Sequence, residues 1–167
     1  MLKKIGLLLL VSLSASVAAK PQLVALSDLE PDLQQRRTAL VIAQVLEGFH
    51  YSQPEIDDQL SRLAFDRYLD ALDLNRSFFT QADVEYLSRY RAIFDDSLLN
   101  GHLDPPYQIF RFFRSKVEQR VAYAKQLLDN HEFDFTLAES YVFDREDTPW
   151  AADEEALDDL WRRRVKN

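Results

Sequence analysis

The chain has 167 residues, 47% of them hydrophobic, and 28 acidic against 20 basic side chains give it a formal net charge of −8. Such an acidic chain repels phosphate backbones and anionic lipid surfaces, so nucleic acids and membrane surfaces are poor partners for it. The absence of cysteine excludes a disulfide framework and thiol chemistry and disfavours structural zinc, while only three glycines disfavour a turn-rich β architecture.

The first nineteen residues have the order of a secretory signal peptide. Lys3 and Lys4 precede an apolar run over residues 5–13, and small residues follow up to a predicted cleavage site. The run is too short to span a hydrocarbon layer of about 30 Å. The alternative, an ordinary buried N-terminal helix, leaves this order unexplained. We therefore expect residues 1–19 to be removed on export to the periplasm, leaving residues 20–167 with a net charge of −10 and no membrane span.

Apolar spacing predicts two helices in the first half of the mature chain. The first begins near Pro31 and is closed by Gly48 and residues 50–54; its apolar positions are Leu33, Leu40, Val41, Val45 and Phe49. The second covers residues 56–73 and has one narrow polar stripe, formed by Gln59, Arg62, Asp66, Asp70 and Asp73. A helix with so narrow a polar stripe is mostly buried. We expect its inward residues to be Leu60, Leu63, Ala64, Phe65, Tyr68, Leu69 and Leu72.

Two further helices are marked by capping and stop signals. Thr80 is a predicted N-cap with Asp83 three residues later, and this helix runs to about residue 99. Its predicted face consists of Val84, Leu87, Arg91, Phe94 and Leu98. Gly101 supplies the stop, and Asp104 caps the longest helix, which covers residues 106–130 after a first-turn proline. Its predicted seam consists of Phe110, Phe113, Val117, Val121, Ala124 and Leu128.

The helical spacing of apolar residues ends after His131, and it returns in a final predicted helix. Scattered aromatic residues and Pro149 predict an ordered loop that is pinned by Phe133, Phe135, Tyr141, Phe143 and Trp150. Asp153 is the predicted cap of the last helix, whose inward residues are Leu157, Leu160, Trp161 and Val165. The fold class is therefore all-α, an irregular bundle of about five helices with an aromatic-pinned loop before the last one.

No group of residues has the pattern of a catalytic, cofactor or metal site. The histidines His50, His102 and His131 fall at predicted helix junctions without an acidic or histidine partner at metal spacing. Asp66, Asp70 and Asp73 could be paired carboxylates, but Arg62 lies four residues before Asp66, which favours a solvated face with a helical ion pair. The neighbours Asp57 and Asp58, Asp95 and Asp96, and Asp158 and Asp159 are expected near helix ends, facing water.

A serine–lysine mechanism is also disfavoured. Ser115 and Lys116 are the one neighbouring pair, and adjacent helical positions point about 100° apart, too far for the required hydrogen bond. We therefore predict no catalytic, cofactor-binding or metal-binding residue, and no cofactor.

The order of short motifs resembles the N-terminal helical domain of tail-specific proteases, the carboxy-terminal processing enzymes of the serine–lysine S41 class. The matching residues run from Ile56-Asp57-Asp58 and Phe65-Asp66-Arg67-Tyr68-Leu69 through Leu72-Asp73, Phe79, Asp83-Val84, Tyr107, Phe133-Asp134-Phe135, Asp144-Arg145 and Pro149-Trp150 to Leu160-Trp161 and Arg163-Val165-Lys166. The resemblance spans about residues 32–167.

The resemblance implies that a PDZ domain and a protease domain follow this region, and that they hold the serine and its lysine base. It also implies protein substrates with apolar C-terminal tails, and a lipoprotein adaptor as a further partner. We expect this chain to be the scaffold of such an enzyme and inactive alone, its ending reflecting a truncated gene, a split sequence or a cut fragment. The alternative is a free-standing periplasmic helical protein-binding module, and the DNA downstream of codon 167 distinguishes the two.

Overall fold

The computed structural model describes residues 23–51 and 55–167, and the predicted signal peptide over residues 1–19 lies outside them. The regular structure of the described part is helical, as the all-α prediction requires. Its α-helices are Leu33–Phe49 (α1), Asp58–Leu72 (α2), Gln81–Leu87 (α3), Phe94–Leu99 (α4), Asp104–Asn130 (α5) and Glu154–Lys166 (α6), with 3₁₀ turns at Leu26–Asp28 and Ser88–Tyr90. Within these residues, no helix is long and apolar enough to cross a membrane.

Helix α1 forms where its spacing predicts it, but its buried face is a different one. Asp32 caps it by accepting the Gln35 N–H, and the Gln35 side chain accepts the Asp32 N–H in return. The buried residues are Ala39 and Ala43. The larger apolar residues at helical spacing are exposed instead, namely Leu33, Leu40, Val41, Val45 and Phe49.

Helix α2 supplies the centre of the main hydrophobic cluster, which is formed by Phe65, Leu69, Phe79, Leu87 and Ile109. Phe65 and Leu69 are each 2% exposed, as predicted. Tyr68 and Leu72 are partly buried against the same cluster. The prediction for Leu63 is wrong, because this side chain is 54% exposed. The cluster joins α2, α3 and α5, so it holds the bundle together.

The third predicted helix is divided into α3, a 3₁₀ turn and α4. Its start is as predicted: Thr80 caps α3 by accepting the Asp83 N–H, and the Asp83 carboxylate accepts the Thr80 N–H. The break is held from another helix, by the buried hydroxyl of Ser61. This hydroxyl donates to the Arg91 carbonyl at 3.0 Å and accepts the Phe94 N–H at 2.8 Å. One side chain of α2 thus satisfies backbone groups that the break would otherwise leave unpaired.

The buried face of helix α5 differs from the predicted apolar seam. Asp104 is its first residue rather than its cap, a position taken by Leu103, and the first turn contains the expected proline. Val121 and Leu128 of the predicted seam are exposed by 43% and 68%. The residues that α5 buries are Ile109, Lys116, Arg120 and Leu127. The buried face of its middle part therefore carries two cations.

Helix α6 closes the bundle against α5. Asp153 caps it, as predicted, by accepting the Ala156 N–H at 2.8 Å. Leu157, Leu160 and Trp161 are buried and form a second hydrophobic cluster with residues of α5 and of the preceding loop. The Trp161 indole donates to the Ser77 carbonyl at 2.6 Å, which fastens α6 to the segment before α3.

The loop before α6 is pinned by only part of its aromatic residues. Tyr141 packs on the α6 cluster and Trp150 on the main cluster. The prediction is wrong for Phe135 and Phe143, which are 75% and 69% exposed. An ionic anchor takes their place: the carboxylate of Glu139 binds Arg162 and Lys166 of α6.

Candidate functional site

The three histidines lie at the helix junctions that the sequence predicts. His50 and His131 are the C-caps of α1 and α5, and His102 lies in the turn between α4 and α5. All three are exposed. Over residues 23–51 and 55–167, no three His, Asp or Glu side chains are grouped so that they could hold a metal ion.

The acidic stripe of α2 is divided among different partners. Asp66 binds Arg91 at 2.6 Å across the break between α3 and α4, whereas Arg62 lies 3.7 Å from Asp58. The predicted pairing of Arg62 with Asp66 is therefore wrong. Asp70 is also engaged, by an arginine of the following turn at 2.7 Å. These carboxylates serve as ion-pair partners between helices and turns.

Asp73 is the exception in this stripe, because it is buried rather than solvated. Its side chain is 2% exposed and accepts the backbone N–H groups of Ser77, Phe78 and Phe79 and the indole N–H of Trp150 at 2.7–3.2 Å. Burial raises the pKa of the Asp73 carboxyl, while the four hydrogen bonds act in the opposite direction. Asp73 thus ties the turn after α2 to the loop before α6.

A chain of charges, here called the ionic clasp, joins α3, α5 and α6; Asp83, Lys116 and Arg120 are buried, whereas its carboxylates on α6 are partly exposed. The Lys116 Nζ atom lies 2.8 Å from both the Asp83 Oδ2 atom and the Glu154 Oε1 atom. Arg120 binds Glu154 at 3.2 Å and also binds Asp158. Burial lowers the pKa of the Lys116 ammonium, but its two carboxylate partners raise it above the usual value overall. Lys116 is therefore held in its charged form, which suits a structural role.

Contacts of the clasp also bear on two predictions, those for the serine–lysine pair and for one aspartate pair. The Ser115 hydroxyl donates to the Phe112 carbonyl at 2.7 Å, while the amine of Lys116 is engaged in the clasp. Asp158 and Asp159 were expected to face water near a helix end. They lie within α6, half-buried, and bind arginines of α5 and α6 respectively.

An apolar cleft, the α1–α2–α4 cleft, lies between these three helices and the first turn of α5. Its volume is about 370 Å³. Its walls are mainly aliphatic and aromatic, formed by Leu46, Ile56, Leu60, Ala64, Phe94 and Leu98. Apolar concave sites with a few polar groups are the usual form of binding sites in proteins. Sequence periodicity could not find this cleft, because its walls come from separate helices.

Two serines and one carboxylate interrupt the apolar walls. Ser61 holds the break before α4, and the Ser97 hydroxyl donates to the Ile93 carbonyl at 2.6 Å. Asp95, at the start of α4, also lines the cleft. Its Oδ1 atom is buried and has no hydrogen-bond partner among the described residues. The expectation that Asp95 faces water is therefore wrong for this oxygen.

An exposed apolar face of α1 continues the cleft outward. Leu46 lines the cleft, and Ile42 and Phe49 lie four and three positions from it on the same side of the helix. Val45 lies three positions from Ile42 and four from Phe49, so it belongs to the same side. Ile42 and Val45 are exposed by nearly half, and Phe49 by 86%. Contiguous exposed apolar surface of this kind marks interaction sites in soluble proteins. The cleft and this face together form the candidate docking surface.

Two comparisons with known proteins give the same result. Residues 42–167 match the family model of the tail-specific protease N-terminal domain. Over 119 residues, the chain is 34% identical to the tail-specific protease of Haemophilus influenzae. This alignment covers 71% of the chain and 17% of that relative, so the chain matches only a small part of the length of the curated protein. The resemblance found from the motifs is confirmed.

Proposed function

The chain belongs to the family of the tail-specific protease N-terminal domain, and on that premise we propose that it is the non-catalytic scaffold and docking domain of a tail-specific protease. The proposal assigns it to the periplasm, after removal of residues 1–19. The enzyme is a serine–lysine protease that degrades or trims proteins with apolar C-terminal tails. Cleavage belongs to PDZ and protease domains that follow this region in the family.

The candidate docking surface is the observation that carries this proposal. The bundle has a complete core around α2, α3 and α5, yet it leaves an apolar cleft and the adjoining face of α1 open to solvent. Burial of apolar surface is the dominant favourable contribution to most protein–protein association. A surface of this type therefore favours contact with another domain or protein.

The ionic clasp supports the scaffold half of the proposal. Its charges are paired across three helices, with Lys116 at the centre between Asp83 and Glu154. Removal of Lys116 would leave the buried carboxylate of Asp83 without its counter-charge, which is destabilising. The clasp therefore fixes α6 in one position relative to α3 and α5, as a frame for other domains requires.

A domain exchange in the Haemophilus influenzae relative tests the function. The segment that matches this chain is deleted from the relative, or replaced by residues 42–167 of this chain, and cleavage of a protein with an apolar C-terminal tail is measured. We expect the deletion to lose cleavage and the chimaera to regain most of it. Cleavage by the deletion protein at the rate of the intact enzyme contradicts the scaffold role.

A second measurement tests the non-catalytic assignment. The full chain is incubated alone with the same substrate, and no cleavage is expected, since no activated nucleophile was found in its sequence. Cleavage that survives repurification, and that is lost in a Ser115→Ala variant, contradicts the non-catalytic assignment. If the chimaera is inactive although correctly folded, the free-standing binding module becomes the better assignment.

A further inference from the structure

We infer that the α1–α2–α4 cleft binds an amphipathic helix of a partner polypeptide that carries a lysine or arginine beside its apolar side chains. The inference rests on the proposed docking role and adds the chemistry of the partner. Three features of the cleft carry it: its apolar walls, the carboxylate of Asp95, and its continuity with the exposed face of α1.

The walls determine that the inserted groups are apolar. Most of the wall side chains contribute only hydrocarbon. They are Leu46 on α1, Ile56 just before α2, Leu60 and Ala64 on α2, and Phe94 on α4. The volume of about 370 Å³ lies within the range of roughly 300–1,000 Å³ that is typical of ligand sites. A polar side chain placed there would lose its hydration without a matching hydrogen bond, at a cost of about 1–3 kcal/mol.

Negative charge at the cleft favours a cation beside the apolar groups. Asp95 lines the cleft, and its Oδ1 atom, which lies below the solvent-accessible surface, lacks a donor among the described residues. An ammonium or guanidinium group supplies charge-assisted hydrogen bonds, which are about twice as strong as neutral ones. Exposed Asp57 and Asp96 adjoin the cleft residues Ile56 and Asp95 in sequence and add negative charge. The net charge of −8 also favours a cationic partner.

The exposed face of α1 determines the form of the partner. Ile42, Val45 and Phe49 extend the apolar surface beyond Leu46 along the helix axis. The apolar surface therefore extends along the helix axis beyond the cleft. An amphipathic helix can cover such an extended apolar surface through residues at positions i, i+3, i+4 and i+7. A second copy of this strongly acidic chain fits less well, because it would bring like charges together.

The test measures binding of labelled model peptides to the full chain by fluorescence anisotropy. The probe is a leucine–lysine peptide with leucines at i, i+3, i+4 and i+7. One control peptide replaces its lysines with glutamates, and another contains the same residues in scrambled order. We expect the probe to bind at least about tenfold more tightly than either control, a difference of about 1.4 kcal/mol. Equal binding of probe and scrambled peptide contradicts the inference, because it indicates attraction by charge alone.

Two variants with matched controls locate the site. Asp95→Asn should weaken probe binding about tenfold, whereas Asp129→Asn, the same change at an exposed position near the other end of α5, should leave it unchanged. Ala64→Phe should fill the cleft and abolish binding, whereas Ala71→Phe on the exposed side of α2 should not. Far-UV circular dichroism checks each fold, and Asp95→Asn keeps the test decisive if Ala64→Phe does not fold. Equal effects of the two aspartate variants contradict the inference.

Sedimentation of the full chain tests the competing occupant. A monomer is expected; a dimer that Ala64→Phe dissociates assigns the cleft to a second copy and contradicts the inference. Failure of the peptide experiment is distinct from failure of the proposed function. An active chimaera without peptide binding leaves the scaffold role intact and rejects only this partner chemistry.

Discussion

Helices α1 and α6 are both amphipathic in sequence, but they are used in opposite ways. α1 has 17 residues and buries only Ala39 and Ala43 among them. α6 has 13 residues and buries Leu157, Leu160 and Trp161. The shorter helix is therefore part of the core, whereas the longer one leaves most of its apolar side chains to solvent.

The two helices also differ in how polar contacts hold them. α1 is fastened near its start, where Arg36 binds Asp104 at 3.2 Å and Gln35 accepts the Tyr107 hydroxyl at 2.8 Å. Such exposed ion pairs contribute only about 0–1 kcal/mol. α6 is held by the ionic clasp, through buried Lys116 and Arg120. The comparison indicates that α6 belongs to the frame and that α1 is a surface for contacts.

Equal leucine truncations in the two helices should give the largest contrast. Leu157 is 0% exposed and Leu33 is 73% exposed. We expect Leu157→Ala to lower the free energy of unfolding by about 2–5 kcal/mol, because it leaves a cavity in the α6 cluster. Leu33→Ala should change it by less than about 0.5 kcal/mol. Urea denaturation measures both, and similar costs would remove the distinction between frame and contact surface.

Removal of the central cation of the clasp should have the next largest effect. Lys116→Met leaves the carboxylates of Asp83 and Glu154 without their shared partner. We expect a loss of about 1.5–3 kcal/mol in the free energy of unfolding, the usual cost of losing hydrogen bonds to a charged group. Lys125→Met, at an exposed position of the same helix, is the control and should be nearly neutral. A neutral Lys116→Met variant would show that the clasp does not stabilise the fold.

An added methyl group in the turn between α4 and α5, which contacts α1, should lower stability by a smaller amount. Gly101 has a φ of +65°, and a Cβ atom there would lie 3.0 Å from the Arg36 carbonyl oxygen and 3.1 Å from Leu40 Cγ. We expect Gly101→Ala to cost about 1–2 kcal/mol from the left-handed backbone alone. Hydrogen exchange should become faster in α1 and stay unchanged in α6. The control is Gly48→Ala, which should be neutral or stabilising because no atom lies within 4 Å of the added Cβ atom. Faster exchange in α6 of the Gly101→Ala variant would contradict the expectation that only α1 responds.

The smallest effect concerns pH and the loop anchor of α6. Hydrogen bonds from Arg162 and Lys166 lower the pKa of Glu139 from its ordinary 4.5 to about 2. The depressed pKa means that this anchor is fully formed above about pH 4.5 and is lost as the pH falls towards 2. NMR titration should show the last turn of α6 losing protection in that window, with α1 unaffected by it. A Glu139→Gln variant that retains the same pH response would contradict this assignment.

Local sequence signals were reliable where their chemistry is local. The Thr80–Asp83 box, the Asp153 cap and the left-handed Gly101 all occur where predicted, because each depends on residues a few positions apart. The same holds for the helical state of the segments and for the buried Phe65 and Leu69 of α2.

Contacts between distant residues account for the errors. Periodicity did not show that Ser61 divides the predicted third helix, since the Arg91 carbonyl lies 30 positions away. Nor did it show that Asp73 is buried, because one of its four donors, the indole of Trp150, lies 77 positions away. From periodicity alone, a polar residue in the polar stripe of a helix is predicted to face solvent, because its hydrogen-bond partners in the fold are not visible.

The sequence by itself determined the helical class, the caps Thr80 and Asp153 and, through its motifs, the family. Only the tertiary structure decided which faces are buried: α5 turns Lys116 and Arg120 inward because carboxylates of α3 and α6 meet them there. The tertiary structure also decided that α1 exposes the larger residues of its apolar pattern, because its neighbours contact the small side chains of Ala39 and Ala43. The physical reason is that spacing defines a face, whereas burial depends on what the rest of the chain places against it.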